Sequence, residues 1–191
     1  GKDGSVIDTK SGTYNLETGE AIFYDRTSFS DSSRSGVADK IAYEKSSGIL
    51  QMEGNAKLVD SVNNLTVIAN EIYADTKIDA FLATRKPVMI FYRDGDSTYV
   101  AADTLFSGLR RYDSLERKII TQADTLTKTM AVNTNRNDTS IRYFLGFHHV
   151  RIFNDSLQAV SDSLHYSTSD STFKLFGDPV VWNDQSQVTG D

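Results

Sequence analysis

The sequence predicts an all-β protein made of stacked, bent β-hairpin repeats that form two facing antiparallel sheets. Three observations predict it. First, an Asp or Asn just ahead of a short apolar–x–apolar stretch returns at intervals near thirty residues. The copies are Ala38-Asp39-Lys40-Ile41-Ala42-Tyr43, Ala69-Asn70-Glu71-Ile72-Tyr73, Ala102-Asp103-Thr104-Leu105-Phe106 and Ser161-Asp162-Ser163-Leu164-His165-Tyr166. Second, another motif keeps step with it, in Thr27-Ser28-Phe29, Ala56-Lys57-Leu58, Val88-Met89-Ile90, Val150-Arg151-Ile152 and Val180-Val181-Trp182. Third, apolar and polar residues alternate with period two between polar turns, and helical spacing is hard to find. A repeat of this size means supersecondary units that stack to share one continuous core.

Taken in order, the units read as follows. A weak first copy of the Asp motif is Ile7-Asp8-Thr9-Lys10, and Glu17-Thr18-Gly19 marks the first hairpin turn. Ser46-Ser47-Gly48 turns into Leu50-Gln51-Met52-Glu53-Gly54-Asn55-Ala56-Lys57-Leu58, where Leu50, Met52, Ala56 and Leu58 share one face. Val62-Asn63-Asn64 turns into a returning strand carrying Leu65, Val67 and Ala69. Asp94-Gly95-Asp96-Ser97 is a further turn. Gly54 and Gly177-Asp178-Pro179 interrupt long strands and predict a bend or bulge where the chain passes a sheet corner. From Asp8 to the closing Asp191 the Asp motif is spaced 31, 31, 33, 59 and 29 residues apart, and 59 is close to two periods. Residues 108–138 lie in that long interval. They hold Arg110-Arg111-Tyr112-Asp113 and Glu116-Arg117-Lys118, and read either as a polar insertion or as a degenerate unit. Gln122-Ala123-Asp124-Thr125-Leu126 would be the latter's Asp motif. A strand is expected over Ile141–Phe153. The whole of 1–191 forms one repeat domain.

Composition narrows the chemistry. With 39% hydrophobic residues, nine Tyr and ten Phe, the chain has the bulk for a packed or lipid-facing interior. A net charge of −6 and the lack of any basic run argue against a nucleic-acid partner. With no cysteine there is neither disulfide nor thiolate chemistry, which suits the cytoplasm or a bacterial periplasm. No stretch approaches the ~18 apolar residues of a membrane helix. The N terminus shows no signal peptide, but Gly1 in place of Met suggests a trimmed chain, so an exported protein with its leader removed remains open.

The candidate functional residues are the inward-facing ones. From the Asp motifs and their partner strands these are Ile41, Tyr43, Leu50, Met52, Leu58 and Val67. The second motif adds Val88, Ile90, Val150, Ile152, Val180 and Trp182, and the last hairpin adds Leu164, Tyr166, Phe173 and Leu175. They either line a groove or pack only against one another in a closed core, and periodicity alone does not separate the two. His148 and His149 are strand neighbours that point to opposite faces, a poor metal pair. The recurring Asp39, Asn70, Asp103 and Asp162 occupy equivalent positions with an Asn in one copy. That suits a turn or bulge cap bonding backbone better than acid–base work. No catalytic residue, metal or cofactor is expected.

The run Ala-Asp-x-Ile/Leu-x-Tyr, then a Gly turn, then Leu50–Leu58 with its Gly54-Asn55-Ala56 centre, resembles the OstA/LptA-like family of lipopolysaccharide-transport proteins. His148–Asp191 is similar to the Bacteroidetes-type branch. The resemblance covers most of the chain outside 108–138. It implies an open, twisted, taco-like jelly-roll in the periplasm, with lipid A acyl chains held between the sheets. It also implies head-to-tail pairing with other OstA/LptA-like domains through edge strands, bridging inner to outer membrane. The same fold would serve as the periplasmic domain of an outer-membrane lipopolysaccharide translocon. Outside the family, a structural β-solenoid or adhesin module with a closed core fits the repeat. The first and last units depart from the pattern, since Asp8 lacks a preceding Ala and Asp191 opens a unit. The domain is therefore expected to continue past 191.

Overall fold

The computed structural model describes residues 4–93, 95–112, 139–183 and 185–190, and every regular element among them is a β-strand. The chain runs back and forth as bent strands that each cross from one sheet to the other. Six are broken at the crossing: β1 (Val6–Asp8) into β2 (Gly12–Tyr14), β3 (Glu20–Phe23) into β4 (Thr27–Ser30), β5 (Arg34–Ala38) into β6 (Lys40–Glu44), β9 (Ala80–Thr84) into β10 (Val88–Arg93), β11 (Asp96–Ala101) into β12 (Thr104–Tyr112), and β15 (Thr172–Phe176) into β16 (Val180–Asn183). Four run through it: β7 (Ile49–Asp60), β8 (Leu65–Asp75), β13 (Thr139–Phe153) and β14 (Leu157–Ser167); β17 (Ser186–Thr189) returns alone. Among the described residues all the pairings are antiparallel and join 17 strands into one hydrogen-bonded sheet.

That sheet is folded on itself along the line of crossings, which acts as a spine. On one side, the first sheet, lie in order β2, β3, β6, the start of β7, the end of β8, β9, β12, the start of β13, the end of β14 and β15. On the other, the second sheet, lie β1, β4, β5, the end of β7, the start of β8, β10, β11, the end of β13, the start of β14, β16 and β17. The two halves face each other. Phe91 of the second sheet meets Phe144, Tyr166 and Phe173 of the first at ring centroid distances of 4.9, 5.5 and 6.4 Å.

The spine explains the thirty-residue repeat. On alternate strands the chain turns the corner through two consecutive left-handed residues: Gly54 and Asn55 (φ 73° and 43°), Arg85 and Lys86 (59°, 65°), His148 and His149 (60°, 53°), Gly177 and Asp178 (74°, 49°). The ladder slips there, between Glu53 and Ala56 in β7 and between Phe147 and Val150 in β13. On the neighbouring strands the corner is the Asp motif, whose backbone N–H bridges to the first bulge carbonyl. Asp39 donates to Gly54 (2.9 Å), Asn70 to Arg85 (3.2 Å), Asp103 to His148 (3.0 Å) and Asp162 to Gly177 (3.1 Å). The residue ahead of each, Ala38, Ala69, Ala102 or Ser161, is buried at the inner apex, where the two layers meet and little volume is left.

Two expectations need correction. The Asp side chains do not mainly cap backbone. Asp39 accepts from Asn55 Nδ2 (2.8 Å) and Arg26 (2.7 Å), and Asp103 and Asp162 pair with His149 and His148. Only Asn70 reaches a backbone carbonyl with its side chain, at Arg85 (3.3 Å). Asp8 is not a corner residue either. It pairs with Ser28 inside β1, and the first crossing falls between β1 and β2. Residues 108–112 are regular strand at the end of β12, paired directly with β13 from Gly108↔Tyr143 to Tyr112↔Thr139. The rest of the 108–138 segment lies outside the described residues.

Candidate apolar groove

The inner faces can be read from register. In the first sheet one inward row runs through Tyr43, Leu50, Ala74, Phe81, Ser107, Phe144, Tyr166 and Phe173. The next, closer to the spine, runs through Ile41, Met52, Ile72, Ala83, Leu105, Gly146, Leu164 and Leu175. In the second sheet the matching row holds Gly36, Leu58, Val67, Met89, Val100, Ile152, Ala159 and Val181. Twelve of the sixteen candidates thus share the interior. Ile41, Met52, Leu58, Val67, Val150, Ile152 and Leu164 are buried there, while Tyr43, Leu50, Tyr166, Phe173 and Leu175 are half-buried.

The other four, Val88, Ile90, Val180 and Trp182, lie on the opposite face. Met89 and Phe91 face inward, so Val88 and Ile90 alternate outward, and Val180 and Trp182 occupy the same outer rows across β14. The physical reason is where the left-handed pair ends. The residue directly after it faces inward, and that residue is Ala56 in β7 and Val150 in β13. After Arg85-Lys86 and Gly177-Asp178 it is instead Pro87 or Pro179, which sets the motif in β10 and β16 one residue earlier than Val88 and Val180. Sequence reading also missed Phe91, Phe144, Phe81, Leu105 and Met89 as interior residues. Counting every second residue from Pro87, which takes the first inward place, would have found Met89 and Phe91.

The interior is packed in the middle and open at the ends. Met52 and Ile72 are fully buried, and Leu105 is only 1% exposed. At one end, however, the inward residues Ile7 and Tyr14 are 55% and 58% exposed, and at the other Val188 is 63% exposed. Across the rims opposite the spine the two sheets are clasped. Arg34 of the second sheet is ion-paired with Asp79 of the first, and lies 3.7 Å from Asp60. Asp79 also takes Arg142, which donates to the Ser107 hydroxyl (3.0 Å) and the Asp79 carbonyl (3.3 Å). Arg142 is 5% exposed, and burial pulls its guanidinium below the usual arginine range. Its Nε is buried without a partner. Beside it, between the 63–64 and 168–171 turns, a cleft of about 290 Å³ opens onto Phe91, Phe144 and Tyr166.

The outer surface is tied along the spine by polar pairs and also carries exposed apolar side chains, among them Ile68, Tyr99, Phe153 and Trp182. Arg26 and Asn55 hold the Asp39 carboxyl below its usual range, and Ser163 and then His148 do the same for Asp162. The hydroxyl of Tyr73, and next that of Thr84, lower Glu71, while Glu71 raises Tyr73. Among the described residues no three His, Asp or Glu side chains converge as a metal site, and no helix is long and apolar enough to cross a membrane.

Comparison with known proteins bears on the N-terminal part of the stack. Residues 5–79 match the family model described as LptA/(LptD N-terminal domain) LPS transport protein. Solved structures that match include the crystal structure of LptH from Pseudomonas aeruginosa, described as the LptA homologous periplasmic component of the conserved lipopolysaccharide transport device. It is 7% identical, with 91% of this chain and 82% of that chain covered and a TM-score of 0.32. No curated protein matches the chain.

Proposed function

We propose, on the premise that residues 5–79 belong to the LptA/LptD N-terminal family, that this chain is a periplasmic lipopolysaccharide-transport protein. It holds lipid A acyl chains between its two sheets and passes them along the stack. The observation that carries the reading is the interior itself. Its inward rows, apolar but for glycines and the buried Ser107, run through every bent strand and are still exposed at both ends, at Ile7, Tyr14 and Val188. An interior of this kind continues into a neighbour of the same type. Among the described residues the edges β1 and β2 at one end, and β15 and β17 at the other, each pair with one strand, leaving their outer sides for head-to-tail pairing that would bridge inner to outer membrane. Binding needs no charged ligand. Each buried methylene contributes roughly 0.8 kcal/mol, so a chain of about a dozen carbons gains on the order of 10 kcal/mol before ordering costs.

The packed middle, where Met52 and Ile72 have no exposed surface, supports a second reading as a structural module with a closed core. Photocrosslinking separates the two. Benzoylphenylalanine at the half-buried inner positions Tyr43 and Leu175 should crosslink lipopolysaccharide, and at the outer positions Val88 and Trp182 it should not. Crosslinks from neither inner position would leave the closed-core module.

A further inference from the structure

The clasp leaves one group unexplained. Arg142 is almost wholly buried, and two of its guanidinium nitrogens are engaged by Asp79 and Ser107, yet its Nε has no acceptor. Buried donors in native proteins are nearly always paired, so an orphan of this kind marks a place where an acceptor arrives. Arg142 lies between a small interior cavity beside Asp60 and Phe81 and the cleft at the rims, which Arg93 also lines, and the floor of that cleft is apolar: Phe91, Phe144 and Tyr166, in mutual ring contact at 4.9 to 5.8 Å. Asn64 and Thr168, whose hydroxyl is bonded to the Arg142 backbone, stand at its polar margin. A charged donor at the lip of an aromatic floor is the arrangement for an amphiphile with a small anionic head.

We propose that this cleft is a lateral binding site for the anionic head of a single-chain amphiphile. A carboxylate or phosphate oxygen accepts from Arg142 Nε, and the alkyl chain lies over Phe91, Phe144 and Tyr166 toward the interior. The inference rests on the reading of the interior as an acyl-chain site, and adds to it the chemistry and place of the head. The carboxylate and Arg142 meet as a charge-assisted pair while Asp79 keeps the other side of the guanidinium; because Nε is buried, the side chains covering it shift to admit the head.

Isothermal titration of the intact protein tests this with dodecanoate, dodecyl phosphate and the uncharged dodecanol, each below its critical micelle concentration. Dodecanoate or dodecyl phosphate should bind at least tenfold more tightly than dodecanol, and the stronger of the two names the head. Arg142→Lys keeps a cation for Asp79 but removes Nε, and should erase the preference. Arg34→Lys perturbs the clasp on the far side of Asp79 and should leave the preference within twofold. Thermal melts establish that both variants fold. Should Arg142→Lys unfold, crosslinking to Phe91, Phe144 or Tyr166 by a diazirine-bearing dodecanoate but not by the matching dodecanol serves in its place. Equal binding of dodecanoate, dodecyl phosphate and dodecanol, or a preference that survives Arg142→Lys, overturns the head site while the acyl-chain reading stands. Failure of all three ligands to bind overturns both.

Discussion

At the scale of single residues, the spine decides what the sequence can be. Gly54 sits at φ 73°, and a Cβ added there would lie 2.7 Å from the Asp39 carboxylate. A left-handed conformation costs a non-glycine residue roughly 1–2 kcal/mol, and here the carboxylate would also have to leave Asn55 and Arg26. Gly95, at φ 89° with nothing within 4 Å, isolates the backbone cost. Gly54→Ala should therefore lose more stability than Gly95→Ala in urea denaturation, with Gly95→Ala near the 1–2 kcal/mol of the backbone alone. The acid side of stability belongs to the same row. Folding lowers the Asp39 and Asp162 carboxyls from their ordinary value of 3.8. Their contribution is thus complete above that value and is lost as the pH falls through the lowered one. The urea midpoint should drop below about pH 4, and Asp39→Asn should make that acid limb shallower. An unchanged limb would mean that the spine pairs add nothing to folding.

At the scale of elements, the question is which face a strand turns inward. Register makes Met89 an interior residue and Val88 an outer one, although their sequence positions differ by one. Met89→Ala should cost about 2–5 kcal/mol, as for other large buried side chains, and Val88→Ala less than about 1 kcal/mol. Comparable losses at both positions would argue for a slipped register. This pair also shows how far the sequence could be read. In Ala56-Lys57-Leu58 and Val150-Arg151-Ile152 a charged middle residue must face water, so the inward face was legible and the register correct. In Val88-Met89-Ile90 and Val180-Val181-Trp182 all three residues are apolar, so alternation carries no contrast and either face fits. What fixes the answer is the corner before them, where Pro87 and Pro179 take the first inward place. The left-handed geometry at Arg85-Lys86 is carried by residues that rarely adopt it, and no local sequence signal announces it. The hairpins, by contrast, were legible because Gly19, Gly48 and Asn63-Asn64 carry turn chemistry on their face. The clasp was not, since Arg34, Asp79 and Arg142 are far apart in sequence and meet only when the sheet folds along its spine.

At the scale of the whole molecule, the stack has a stability gradient written into its pairing. β7 and β8 pair over ten residues on both sides of the spine, and β13 and β14 likewise run through it. β1 and β2 pair over three residues each, and β17 over four. In a repeat architecture each unit is held by its own fold and by its neighbours, so the ends, with one neighbour missing, open first. Amide exchange should be slowest in β7, β8, β13 and β14 and fastest in β1, β2 and β17. If chains join head to tail, the exposed interior at Ile7, Tyr14 and Val188 becomes covered in the contact. Protection in β1, β2, β15 and β17 should then rise with protein concentration while β7 and β8 stay unchanged. A gradient that ignores concentration would leave the ends as free edges and remove the continuous groove on which long-range lipid transfer depends. Uniform exchange along the stack would instead make the chain one closed cooperative unit.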